Sequence, residues 1–266
     1  THGACVNETD TISGNLRKMI DKGEGGVLNL GYSANGPLRE YAILREYLHL
    51  KKTNRVVWIY YENDLIDLIG ELGNKTLSNY LNDRTFTQKL HIRQSENDKK
   101  LEKKLDAAYK QKEKIFERKY RSHILSFIRL YDLRNFIKQS LNSFSSLETP
   151  ITEIPNKILD TFSEIIYLSK ILSEDNGARF YFVFLPKHSR YLIKSYKEAE
   201  FKRYLEQELQ NQNVINIVNE LKIPIIDINK DLLERYSDLS SLIPFRSSNN
   251  PAGHFNELGY KLVSKI

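Results

Sequence analysis

Four short segments hold the residue types that could do nucleophilic or acid–base chemistry. They are Gly31-Tyr-Ser-Ala-Asn-Gly36, Glu62-Asn63-Asp64, Pro186-Lys187-His188 and the loop leading to His254. An imidazole can take a proton from a hydroxyl and return it near neutral pH, because its ordinary pKa is about 6.5. Two nucleophiles can be weighed against that partner. Ser33 stands between a strand-like run and a helix-like run, as in a nucleophile elbow. That elbow needs Gly two residues after the Ser, and Asn35 is there instead. Cys5 is the sole cysteine, and a single small Cys is more often a buried structural residue than a reactive thiol. His2, His49, His91, His123 and His188 have no metal-ligand spacing, so no metal is expected. Gly23-Glu-Gly-Gly26 lacks the Lys-Ser/Thr of a phosphate-binding loop. Asp227 follows a buried run and reads as structural.

Each of these segments follows an apolar run, so the elements that position them come next. Val27–Gly31, Arg55–Tyr61, Ala178–Leu185 and Ile223–Ile228 are short, apolar and rich in β-branched or aromatic residues, which predicts strands. Pro37 opens a run with Leu38, Tyr41, Ala42, Leu44, Tyr47 and Leu48 at helical spacing. Leu77 to Leu141 reads as charged and helical, and Ser143–Pro150 as a break. Further helices are expected from Pro155 to Leu172, Lys197 to Leu209, Val214 to Leu221 and Asn256 to Ile266, with Asn176-Gly177 as a stop. Strands separated by helices predict βαβ units and a parallel sheet covered on both faces. In such sheets ligands bind beyond the carboxyl ends of the strands, which is where the four segments lie.

The set NLGYSANGP, YYENDLIDL and PAGHFNELGY, with the opening THGACVNETDTISGNL, resembles the SGNH (GDSL-type) hydrolase superfamily. The resemblance covers about residues 1–67 and 178–266, and the region of about 77–150 reads as a helical insertion in a single domain spanning 1–266. It implies an α/β, flavodoxin-like three-layer α/β/α fold with a parallel sheet. It also implies serine-dependent ester hydrolysis or acyl transfer, with no cofactor and no metal. The family's Ser block would stand just upstream of Thr1, together with the first strand. The chain is therefore expected to be an N-terminally shortened piece of a longer protein. The alternative is a native start and a catalytically inactive relative.

Residue by residue, the resemblance assigns three positions. Ala34 falls where the family has a Gly whose backbone N–H helps form the oxyanion hole, and a positive φ there would disfavour Ala. Asn63 matches the Asn whose side-chain amide is a second oxyanion donor. His254 matches the general base and precedes Asn256 and Gly259, as in the family's His-x-Asn-x-x-Gly ending. Pro251 stands where the family commonly has the triad Asp. Either the acid comes from elsewhere, or the site works as a Ser–His dyad with a carbonyl orienting the imidazole.

Composition narrows the remaining classes. The 266 residues carry 40 Lys and Arg against 34 Asp and Glu, a net +6, and 40% are hydrophobic. That is enough apolar residue for a core. One cysteine excludes a disulfide framework. No apolar run approaches the roughly 18–20 residues of a membrane-spanning helix. The basic surplus concentrates between Lys99 and Arg121, where apolar or small residues recur at Leu101, Leu105, Ala108, Ile115 and Phe116. This reads as an amphipathic helix with a solvated charged face, open to packing on a partner or on an anionic membrane. No nucleic-acid motif is present, so no nucleic-acid partner is expected. The expected substrate is an acylated small molecule or carbohydrate. A periplasmic or membrane-anchored location is preferred to a cytoplasmic one, through a segment upstream of Thr1. The alternative is a non-catalytic domain that binds carbohydrate or a protein partner.

Overall fold

Three parallel strands organise the larger part of the chain. They are β1 (Arg55–Tyr61), β2 (Arg179–Leu185) and β3 (Ile225–Asp227), in spatial order β1-β2-β3. The computed structural model describes residues 6–20, 25–32, 34–128, 154–187, 198–235 and 255–266. Register pairs Arg55 with Arg179 through Tyr61 with Leu185, and Phe182 with Ile225 through Phe184 with Asp227. Among the described residues the helices are α1 (Ile12–Met19), α2 (Pro37–Tyr47), α3 (Asp64–Leu72), α4 (Lys75–Asn82), α5 (Gln94–Ile128), α6 (Asn156–Asp175), α7 (Glu198–Glu220), α8 (Ile228–Arg235) and α9 (Glu257–Val263). The chain divides into two compact units, Thr1–Gln88 with Glu153–Ile266, and Lys89–Thr152.

The strands alternate their side chains between two cores, as a period of two requires. Trp58, Tyr60, Phe180, Phe182 and Phe184 face a core built with Leu38, Leu65, Tyr80, Phe162 and Val214 from α2, α3, α4, α6 and α7. Tyr60 is fully buried there, with ring centroids 5.7 Å from Phe182 and 5.8 Å from Phe184. Val183 and Leu185 face the opposite core with Ile12 of α1, Ile228 and Leu232 of α8, and Tyr260 and Val263 of α9. The unit is thus α/β, with a small parallel sheet carrying helices on both faces.

Several boundaries follow from local chemistry. Helix α6 ends where Gly177 takes φ +75, its N–H reaching Glu174 O at 2.9 Å while Ala178 N–H reaches Ser173 O at 2.9 Å. This is a Schellman stop, with Gly at the left-handed position. Helix α7 closes with the same bonds around Lys222, a non-glycine residue at φ 53. The two helices expected within 197–221 form one, because no Gly or Pro interrupts Gln210–Asn213 and Asn211 is buried. Helix α8 begins one residue after β3, since Asp227 Oδ1 accepts the N–H groups of Asn229 at 3.0 Å and Lys230 at 3.2 Å. Asp227 is therefore a cap, in keeping with a structural role.

One expected strand is absent. Residues 27–31 form no strand in the structure, and β1 has a single ladder neighbour among the described residues. The segment satisfies itself locally: Asn29 Oδ1 accepts Gly31 N–H at 3.1 Å, and Val27 O accepts Arg17 Nε at 2.8 Å. A side-chain acceptor of this kind competes with a ladder when no partner strand is at hand.

Candidate functional site

At the carboxyl end of β1 the chain turns directly into α3. Asp64 Oδ2 accepts Tyr61 N–H at 2.8 Å, which clasps the strand end to the first turn of the helix. Asn63 stands at the helix cap, and its carbonyl accepts the N–H groups of Ile66 at 2.9 Å and Asp67 at 3.1 Å. Its side chain makes no cap hydrogen bond and instead donates Nδ2 to Asp67 Oδ2 at 2.7 Å. A carboxylate accepts only, so the amide nitrogen must be the atom facing Asp67. The amide has two N–H groups, and this bond occupies one.

The loop before α2 is held against the same helix. Ala34 takes φ 60, in a turn closed by Asn35 N–H to Tyr32 O at 3.3 Å. Its carbonyl accepts Arg39 Nη1 at 2.8 Å, and its N–H forms no hydrogen bond to a described residue. Helix α2 has Gly36 at its cap and Pro37 at its first position, so neither side chain can satisfy its first N–H groups. Glu71, reaching across from α3, does so. Its carboxylate accepts Gly36 N–H at 2.8 Å, Leu38 N–H at 3.0 Å and Arg39 N–H at 3.2 Å, with Arg39 Nε 3.7 Å away. Gly36 permits this approach: a Cβ there would lie 2.7 Å from Glu71 Oε2 and 2.9 Å from Asp67 Cβ.

The two expected oxyanion donors are therefore connected through shared neighbours. Gly36, two residues after Ala34, rests on Asp67, and Asp67 holds the Asn63 amide. His254 lies outside the described residues, as do Ser33, His188 and Cys5. The residues just after His254 are placed. Phe255 is buried with its ring 6.3 Å from Tyr260, and Asn256 Oδ1 accepts Gly259 N–H at 2.8 Å to cap α9. The Asn and Gly of the ending PAGHFNELGY thus serve to start the last helix.

The electrostatics around Asn63 are acidic and dry. Burial pushes the Asp64 carboxyl well above the usual range, opposed by the Tyr61 N–H bond and reinforced by Asp67 and Glu71. Removal from water also raises Glu40 well above its ordinary value, and the charges of Asp64 and Glu71 add to this. Asp67 and Glu71 are raised by burial too, against the pull of Lys187 and Arg39 on the first and of three N–H bonds and Arg39 on the second. Lys187, two residues past β2, is pushed down by burial and held up by Glu62, Asp64 and Asp67. Its Nζ sits 6.0 Å from the Tyr61 ring centroid. Asn35 is buried, and its Nδ2 has no hydrogen-bond partner among the described residues.

Asp67 and Glu71 are the members that motif reading overlooked, whereas Lys187 lies in one of the four segments it singled out. A signal existed for both. Asp64, Asp67 and Glu71 recur at spacings of three and four, which sets three acids on one stripe of an otherwise apolar helix. Among the described residues no group of three or more His, Cys, Asp or Glu is arranged to hold a metal ion. Comparisons of the chain with protein-family models, with curated proteins and with solved structures find no match.

Proposed function

We propose that the protein is a serine-dependent esterase or acyl transferase of the SGNH type, acting on an acylated small molecule or carbohydrate. The observation that carries this reading is Asn63. It stands at the carboxyl end of β1, it is locked by Asp67, and one amide N–H remains for a ligand oxygen. A donor fixed before the substrate arrives needs no reorganisation as negative charge develops on a carbonyl oxygen, and is worth about 3–4 kcal/mol. Ala34 N–H is the second donor in this reading, and His254 the general base. The reading also requires the family's nucleophilic Ser, which no residue matched to the family supplies. The Ser Oγ attacks the acyl carbonyl while His254 takes its proton. His254 then returns that proton to the leaving alcohol, and water or an acceptor hydroxyl releases the acyl group.

The carboxyl groups around Asn63 shape the substrate class. An anionic acyl group would meet the acidic side chains of Glu62 and Asp67, whereas a neutral ester carries no charge for them to oppose. A fluorophosphonate probe tests the reading on protein that carries the family's Ser block. Covalent labelling of one Ser there, lost in His254→Ala, supports it. A folded protein that stays unlabelled sinks it, and leaves the non-catalytic binding domain, for which Pro251 and the non-glycine Ala34 speak.

A further inference from the structure

The smaller unit carries a feature that the site above does not use. Helix α5 exposes Leu101 by 55%, Leu105 by 47%, Tyr109 by 69% and Ile115 by 55%. Spacings of three and four bring Leu101, Leu105, Ala108 and Ile115 onto one stripe, with Tyr109 on its border. The same stretch is strongly basic. From Lys99 to Arg121 there are ten Lys and Arg against four Asp and Glu, a surplus equal to the net +6 of the whole chain. The remaining residues carry equal numbers of basic and acidic side chains, so the net charge of the chain equals that of this stretch.

We infer that α5 lies along the surface of an anionic phospholipid bilayer, with Leu101, Leu105, Tyr109 and Ile115 in the headgroup region and the flanking lysines on lipid phosphates. Two features select lipid over other occupants. Nucleic acid would use the lysines but would leave the apolar stripe in water. A second copy of the helix would use the stripe, but Lys112 falls in its middle, between Ala108 and Ile115. A helix–helix seam would bury that ammonium, whereas at a bilayer the long stem lies among the headgroups and the charge reaches water or phosphate. Lys103, Lys104, Lys110 and Lys112 form no ion pair with a described residue, so they are available to phosphate. No helix among the described residues is long and apolar enough to cross a membrane, so α5 rests on the bilayer rather than spanning it.

The test is co-sedimentation of the 266-residue chain with two sets of vesicles. One is phosphatidylcholine alone, and in the other about a third of the lipid is phosphatidylglycerol. Binding to the anionic vesicles only, weakened by salt, is expected. Lys104→Glu/Lys112→Glu should lower the vesicle partition coefficient at least about tenfold, since each basic residue near an anionic surface is worth about fivefold. Leu101→Ser/Leu105→Ser should lower it about tenfold or more at unchanged charge. Circular dichroism confirms that each variant keeps its helix content. Equal binding to both vesicle types overturns the inference, as does wild-type binding by the leucine variant. Self-association abolished by the leucine variant without any vesicle binding also overturns it, and assigns the stripe to a second copy. None of these outcomes bears on the esterase reading.

Discussion

Asn63 donates its side-chain amide to Asp67 Oδ2 at 2.7 Å, one helical turn further along α3. The bond joins a residue at the mouth of the sheet to a residue on which the neighbouring loop rests. It sets the direction of the amide before any ligand is present. Asn63→Ala should therefore lower kcat about 100- to 1000-fold in the enzyme carrying its serine, with little change in KM. Asp67→Ala keeps the amide but frees its rotation, and should cost about tenfold in kcat. Ester turnover by the two variants and the double variant checks this. Equal losses in all three would show that the pair works as one unit, and full activity in Asn63→Ala would remove Asn63 from the mechanism.

Glu71 holds three backbone N–H groups of another helix, so its loss should be structural. Glu71→Ala leaves those donors buried and unsatisfied and should cost about 2–4 kcal/mol. Glu71→Gln retains an acceptor and should cost less, about 1–2 kcal/mol. Denaturant titrations of both variants provide the measurement. A loss below about 0.5 kcal/mol in Glu71→Ala would mean that Glu71 does not hold the loop to α3.

Ala34 and Lys222 both occupy the left-handed region without being glycine, at φ 60 and φ 53. That conformation costs an L-residue about 1–2 kcal/mol, and glycine gives back part of the gain through its freer unfolded chain. Ala34→Gly and Lys222→Gly should each stabilise by about 0.5–1 kcal/mol. Only Ala34→Gly should also change ester turnover, because Lys222 ends α7 away from the carboxyl ends of the strands. Thermal melts alongside turnover separate the two effects, and destabilisation by either glycine would contradict the assigned backbone.

Glu40, Asp64, Asp67 and Glu71 all have carboxyls raised by burial. A carboxyl whose folded pKa lies above its unfolded value takes up a proton on folding. Stability then falls as pH rises from the ordinary carboxylate range, about 4–4.5, through the raised value. The protein should thus be more stable at mildly acidic pH than at pH 8, the reverse of a fold held by salt bridges. Asp64→Asn should flatten this slope. Melting temperatures across that range test the sign, and a rise in stability with pH would refute it.

What the sequence made legible was chosen by periodicity. Arg55–Tyr61 and Arg179–Leu185 form strands because continuous β-branched and aromatic runs bounded by breakers have few other uses. Val27–Gly31 has a similar appearance but no strand neighbour among the described residues, and Asn29 captures the Gly31 N–H instead. Pairing is a tertiary property, and no local pattern reports it. The site divides in the same way. Asn63 was visible because it follows a strand, whereas the role of Glu71 depends on another helix beginning with Gly36-Pro37, which cannot cap itself.

The side of β1 that no described strand covers has a consequence for handling the 266-residue chain. Its seven residues, Arg-Val-Val-Trp-Ile-Tyr-Tyr, contain no proline, no glycine and a single charge. With no described strand paired along that side, its N–H and C=O groups offer a template to any extended chain of matching register. Intermolecular strand addition at β1 would compete with solubility as concentration rises. A lysine at Val57, which is already exposed, would act as a gatekeeper against such polymerisation while leaving Trp58 and Tyr60 in the core.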